Sequence, residues 1–273
     1  MSPQKKILYV CQQVAPYIVD EPQADRCNEM LHAMNERGGE VRTFMPRYGV
    51  VNERRNQLHS VNRLSGMPIV VDGADHTVDI KVASLPSSRM QIYFIESDDY
   101  FVRKAVLKDD KGKQFKDNDV RTKLFAKGVL KAVNMLRWEP DVIHCHGWFA
   151  AFAAVYVKQS FSDDPIYANT KVVVSLDADT FEGELNKDLQ KLLLEEGFAA
   201  EAVDMLAKPT YENFVKFVIN YADGVVISAG DVDEKVAKIA RQSGKPIFEQ
   251  EYKAGENEAK DYYDNYAKFY DKI

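Results

Sequence analysis

Four short apolar runs constrain this chain more than any other feature. They are "KKILYVC" at residues 5–11, "PDVIHCH" at 140–146, "TKVVVSLDA" at 170–178 and "ADGVVISAG" at 222–230. A strand wetted on one face alternates apolar and polar residues. An apolar run of strand length suits a central parallel strand covered on both faces. After the first run, Met30, Leu31 and Met34 stand at helical spacing, Gly38–Gly39 stop the helix, and "EVRTFMP" follows as the next strand. Strand, loop, helix and strand make a βαβ unit, whose crossover is right-handed.

The middle of the chain inserts a hairpin-like stretch into this pattern, "MPIVVDGADHTVDIKVASLPSSRMQIYFIES", with turn signals at Asp72–Gly73 and Pro86–Ser88. "DNDVRTKLFAKGVLKAVNMLRW" then reads as an amphipathic helix with Asp117 or Asn118 near its N-cap. "WFAAFAAVYVKQSF" reads as the helix between two of the buried strands. The expected fold is α/β: a Rossmann-like, doubly wound, mainly parallel sheet with a β-hairpin insertion and a C-terminal helix. Residues 1–246 form its main domain. Beyond Pro246 the chain turns charged and tyrosine-rich, and Tyr262, Tyr266 and Tyr270 recur every four residues. Residues 247–273 are read as a terminal helix that lays this stripe on the core or offers it to a partner.

Charge and cysteine usage narrow the function classes. The formal net charge is -6, so no basic face is implied, and neither nucleic acid nor an anionic membrane is an expected partner. Cys11, Cys27 and Cys145 are widely spaced with no CxxC pair, which argues against a disulfide framework or a zinc knuckle. No signal peptide or membrane span is read. A reducing cytoplasm is the expected location.

Two clusters carry candidate chemistry. His144, Cys145 and His146 sit at a strand end, but alternation turns only the two histidines to one face, fewer ligands than zinc takes. A histidine at a carboxyl end is a ligand-contact candidate, because open α/β sheets bind ligands there. The second cluster is "SLDADTFEGE", where Asp177, Asp179, Glu182 and Glu184 follow another buried strand. Asp-x-Asp fits a metal-binding transferase motif, an aspartyl phosphotransferase, or a solvated loop. Neither a GxGxxG nor a P-loop motif occurs, nor a GxSxG elbow.

Several stretches, in order, resemble one family. "ILYVCQQVAPY", "LHAMNERGGEVRTFMPRYG", "IYFIESDDYFVR", "FKDNDVRTKLFAKGVL", "WEPDVIHCHGWFAAFAAVYVK" and "NFVKFVINYADGVVIS" resemble the N-terminal domain of bacterial glycogen and starch synthases, over roughly Lys5 to Lys235. The resemblance implies one half of a GT-B fold, ADP-glucose as donor and an α-1,4-glucan as acceptor. It implies ligand-binding roles for Tyr17, Asp25, His146, Trp148, Asp177, Asp179 and Glu182. Trp148 and Phe149 are read either as stacking on a sugar or as core.

The departures from the family pattern bear on activity. Val19 stands where the family has a lysine, and Asp20, Glu21 and Pro22 stand in its glycine-rich loop. In the family that lysine and those amides face the donor phosphates. Gly147 replaces an aspartate, Phe149 a histidine, and Asp177 the histidine that bonds the transferring glucose. The second, donor-binding domain is not read in this sequence. The resemblance therefore implies no catalytic residue, no retained donor contact and no metal. The expected role is that of a domain inactive alone, binding a glucan, another sugar, a protein partner or a second copy through the face the other domain would cover. Two alternatives stand: a transferase completed in trans by a separate donor domain, and metal-assisted phosphate chemistry on Asp177 and Asp179.

Overall fold

The computed structural model describes residues 5–86, 88, 90–228, 230–253 and 256–273. Ten strands occur among them: β1 Lys6–Cys11, β2 Glu40–Pro46, β3 His59–Ser60, β4 Met67–Val71, β5 Ala74–Ser84, β6 Gln91–Glu96, β7 Val142–His146, β8 Lys171–Leu176, β9 Gly224–Ser228 and β10 Ile247–Gln250. The strand order is β10-β9-β8-β7-β1-β2-β6-β5-β3, with β4 paired to β5. From β10 across to β6 every pairing is parallel. β5 runs antiparallel to β6, β4 and β3. The parallel part is covered on both faces, which is why Leu8, Tyr9, Val10 and Cys11 have no exposed surface.

Helices fill both layers. They are α1 Pro22–Glu36, α2 Asn118–Leu136, α3 Phe152–Gln159, α4 Leu189–Glu195, α5 Ala200–Val203, α6 Tyr211–Asn220, α7 Glu234–Arg241 and α8 Glu256–Lys272. None is long and apolar enough to cross a membrane, among the described residues. α2 begins at Asn118 after Asp117, as its sequence predicts, but the Asp117 side chain makes no cap bond. Its carboxylate instead takes both guanidinium nitrogens of Arg103, at 2.5 and 2.7 Å, and this pair holds the Asp117 carboxyl below the usual range against the opposing effect of its burial.

The hairpin turn at Asp72–Gly73 joins β4 to β5. Asp72 adopts φ 51° and Gly73 φ 74°, the left-handed pair that a two-residue hairpin loop requires. The Asp72 carboxylate pairs with Lys123, whose side chain is wholly buried in α2. The hairpin is thereby tied to the helix that covers it.

The tail differs from its reading in one respect. Residues 247–250 are β10, a parallel edge strand beside β9, and helix begins only at Glu256. The apolar Ile247 and Phe248 complete the sheet edge before the charged segment starts. The tyrosine stripe faces the core: Tyr262, Tyr266, Phe269 and Tyr270 are all buried. Arg37 with Asp264 and Lys5 with Asp271 hold the helix rim.

Candidate functional site

The strand order reverses between β1 and β7. From β1 the chain steps outward to β2 and β6, then returns across to β7, β8, β9 and β10. Outside the carboxyl ends at such a reversal, loops part in opposite directions and leave a crevice. Here Gln12 N–H donates to His146 O at 2.9 Å, tying the two strand ends together. Above them opens a cleft of about 700 Å³.

Its floor comes from three strand ends and a helix start. Gln12 and Gln13 follow β1, Trp148 follows β7, Asp177 and Asp179 follow β8, and Glu21, Pro22 and Gln23 begin α1. Lys104 and Lys108 line the opposite wall. Pro22 occupies the first turn of α1, so a backbone donor is lost where a helix N-terminus could face an anion. Val19 is 63% exposed and lines no part of the cleft.

Asp177 stands between the cleft and a smaller chamber of about 30 Å³, on the order of one water molecule. Its Oδ1 accepts from Ser228 Oγ at 2.5 Å and its Oδ2 from Gln23 Nε2 at 3.2 Å. His146 Nδ1 lies 3.9 Å from Oδ2. His146 lines the chamber with Arg26 and Ser175, and with Tyr262 and Tyr266 of α8. Burial pushes the His146 imidazole below its ordinary pKa, partly opposed by Asp177 and reinforced by Arg26. Arg26 is itself paired to Asp231.

Asp179 behaves differently from its neighbour. Both carboxylate oxygens are buried and, among the described residues, accept no hydrogen bond. Its pKa is pushed up to about 7, first by burial and second by the charge of Asp177. The Gln12 and Gln23 amides and Lys108 temper that rise, though neither glutamine makes a hydrogen bond to the carboxylate.

The remaining expected residues scatter. Trp148 reaches the cleft with an edge only: it is 4% exposed and packs edge-on against Phe149, Phe181 and Phe214. Phe149 is wholly buried. Neither offers a free ring face for stacking on a sugar, because Phe181 and Phe214 pack on Trp148, and Phe101 and Phe125 pack on Phe149. Glu182 lies on a neighbouring groove of about 680 Å³ beside Lys113 and Lys187. Tyr17 donates to Ser84 O at 3.1 Å and packs on Phe94, in the core. Asp25 is exposed on α1 and lines none of these cavities. Among the described residues, no three His, Cys, Asp or Glu side chains gather so as to hold a metal ion.

Sequence reasoning passed over Gln12, Gln23, Arg26 and Ser228. Gln12 and Ser228 were findable, since both sit at carboxyl ends of buried runs that point to the same crevice. Gln23 and Arg26 reach it from α1, and no local pattern marks them.

Comparison with known proteins agrees with this architecture. The chain is 35% identical to a glycogen synthase of Chlorobium limicola over 193 residues, 70% of this chain and 40% of that protein. It is 35% identical to a glycogen synthase of Chlorobium luteolum over 208 residues, 74% of this chain and 42% of that one. The chain thus spans about 40% of the length of these curated relatives. The catalytic domain of starch synthase IV from Arabidopsis thaliana, solved with ADP and acarbose, shares the fold with a TM-score of 0.70 at 15% identity, over 91% of this chain and 51% of that one. A family model of the starch synthase catalytic domain matches residues 6–237, from the first residue of β1 into α7. On the ordered strands, the crevice at their reversal and this match, the chain belongs to the starch synthase catalytic domain family.

Proposed function

We propose that this starch synthase-type domain binds a glucan or another sugar in the cleft and does not itself transfer glucose from ADP-glucose. The observation that carries the reading is Asp177. It sits on the cleft wall, at the position where the family pattern has a histidine, and is engaged by Ser228 and Gln23. A carboxylate there repels the diphosphate of a nucleotide sugar and accepts hydrogen bonds from hydroxyls. The wider lining points the same way. Glu21, Asp109, Asp110, Asp177 and Asp179 face Arg26, Lys104 and Lys108, and Arg26 is already paired to Asp231. One uncompensated like-charge contact near 4 Å costs about 4 kcal/mol at an effective dielectric of about 20. Stabilising a leaving diphosphate is mainly electrostatic work, and this lining opposes it. We place the protein in the cytoplasm, in keeping with three free, buried cysteines.

The test is native electrophoresis through gels with and without glycogen, with ADP-glucose turnover assayed on the same sample. The reading expects retardation by glycogen and no turnover. Turnover overthrows the reading of Val19, Gly147 and Asp177. Unretarded migration removes the glucan.

A further inference from the structure

Gly147 and Asp179 compete for the same small volume. Gly147 has φ 80° and ψ 150°, a region that residues with a side chain avoid. A Cβ placed on it would stand 2.9 Å from Gln12 Cβ and 3.3 Å from Asp179 Oδ2. A side chain at residue 147 would have to displace Gln12 and crowd Asp179. The family pattern has an aspartate at that position. In this chain an acid reaches the same space from the other strand end, after β8.

Both Asp179 oxygens are buried, and among the described residues no group donates to either. Folded proteins seldom leave a buried carboxylate this way, because the lost solvation is not repaid. Tyr211 Oη donates to the Asp179 main-chain oxygen at 3.4 Å, which anchors the residue and leaves the carboxylate unmatched. Gln12 and Gln23 flank it and line the same cleft.

We propose that Asp179 is the ligand-recognising carboxylate of the cleft, that it accepts the vicinal hydroxyls of a carbohydrate, and that it releases its proton as they bind. The ligand class rests on the sugar-binding reading above. The proton release follows from solvation. Burial without donors favours the neutral acid. Two hydroxyls donating to the two oxygens favour the ionised form and lower its pKa. The proton passes to the buffer, and affinity rises with pH through about 7 and then levels.

The surroundings single out Asp179 as the group that moves. Asp177 adds negative charge from the same loop, and Lys108 offsets it from the facing wall. Burial holds Tyr48 and Tyr211 in their neutral forms and holds His146, behind Asp177, toward its own. Arg26 stays with Asp231.

Two measurements on the intact protein test this. The first is a carbon NMR titration of carboxyl-labelled aspartate from pH 5 to 9, with and without maltoheptaose. The second is calorimetric titration with maltoheptaose at pH 6 and pH 8, in two buffers of different ionisation heat. Asp179 is expected to titrate near 7 alone and at lower pH with the sugar. If the sugar returns it to an ordinary value near 4, binding is about tenfold weaker at pH 6 than at pH 8. Asp179→Asn binds more weakly and without pH dependence. Should that variant fail to fold, the titration of the native protein still decides. Sugar binding with no proton release, or an Asp179 that titrates near 4 when free, overturns the proposal. No sugar binding alongside an Asp179 that titrates near 7 removes the sugar reading, and the ligand assignment with it, while leaving the unusual acid in place.

Discussion

His144 Nδ1 lies 2.6 Å from the hydroxyl of Tyr270, 126 residues further along the chain. The same hydroxyl is 2.9 Å from Tyr9 Oη, and His144 Nε2 is 2.7 Å from Ser175 Oγ. Through these bonds α8 is fastened to β1, β7 and β8 at once. All four groups are buried, so each bond replaces one that water would otherwise make.

Removing one member should therefore cost more than a surface bond. Tyr270→Phe is expected to destabilise the protein by about 1–3 kcal/mol, because it leaves a ring nitrogen of His144 and the Tyr9 hydroxyl short of a partner. Tyr266 Oη, about 3.5 Å from His144, can recover part of the loss. Urea unfolding at neutral pH reads the difference. An unchanged midpoint would mean that α8 is held by its apolar stripe alone.

Stability should also fall on mild acidification. Burial keeps the His144 pKa well below its ordinary value and lowers that of His146. The unfolded chain takes up these protons near pH 6.5, while the native state resists. Each group then removes up to about 1.4 kcal/mol per pH unit below 6.5 until its native pKa is reached. Asp179 acts in the opposite sense. Its native pKa is raised to about 7, so it costs stability as pH climbs from about 4 to 7 and its full penalty stands above 7. Asp179→Asn should accordingly raise the melting temperature most at pH 8, with the gain shrinking toward pH 4. Melting curves across that range test the sign.

The buried ion pair between Lys123 and Asp72 predicts a strong asymmetry. Lys123 has no exposed surface, and Oδ2 of nearby Asp119 is buried without a hydrogen-bond partner among the described residues. Burial raises the Asp119 pKa, and Lys123 opposes that rise. Lys123→Met strands two carboxylates and should cost about 3–5 kcal/mol. Adding Asp72→Asn, which still suits the left-handed turn position, should restore part of it. Chemical denaturation of the single and double variants measures the coupling. Simple additivity would argue against a linked pair.

Gly147→Ala is expected to be poorly tolerated. Its backbone conformation costs a side-chain residue about 1–3 kcal/mol before any contact is counted. The new methyl group would also press on Gln12 Cβ at 2.9 Å. The same change should disturb Asp179, visible as a shift in its titration. A neutral effect on both would show that the loop after β7 has room to relax.

Much of the scaffold was legible in the chain because its signals are local. An apolar run such as "KILYVC" declares a buried strand through its own residues, and the Asp-Gly pair at 72–73 declares a tight turn. The acids after β8 were legible as a candidate site for the same reason, since a strand end is a sequence position. Tyr17 and Asp25 were carried over by resemblance, yet one packs in the core against Phe94 and the other is exposed away from the cleft.

What the sequence determined by itself was the set of elements and their parallel habit, because periodicity and side-chain burial act over a few residues. Where Asp179 points, which glycine leaves it room, and how a tyrosine at position 270 comes to bond a histidine at 144 were decided only in the folded molecule. These depend on contacts between residues far apart in sequence, and no local propensity encodes them. The proton on Asp179 belongs to the same class: its affinity is set by the water that the packed cleft excludes and by the charge of Asp177 beside it.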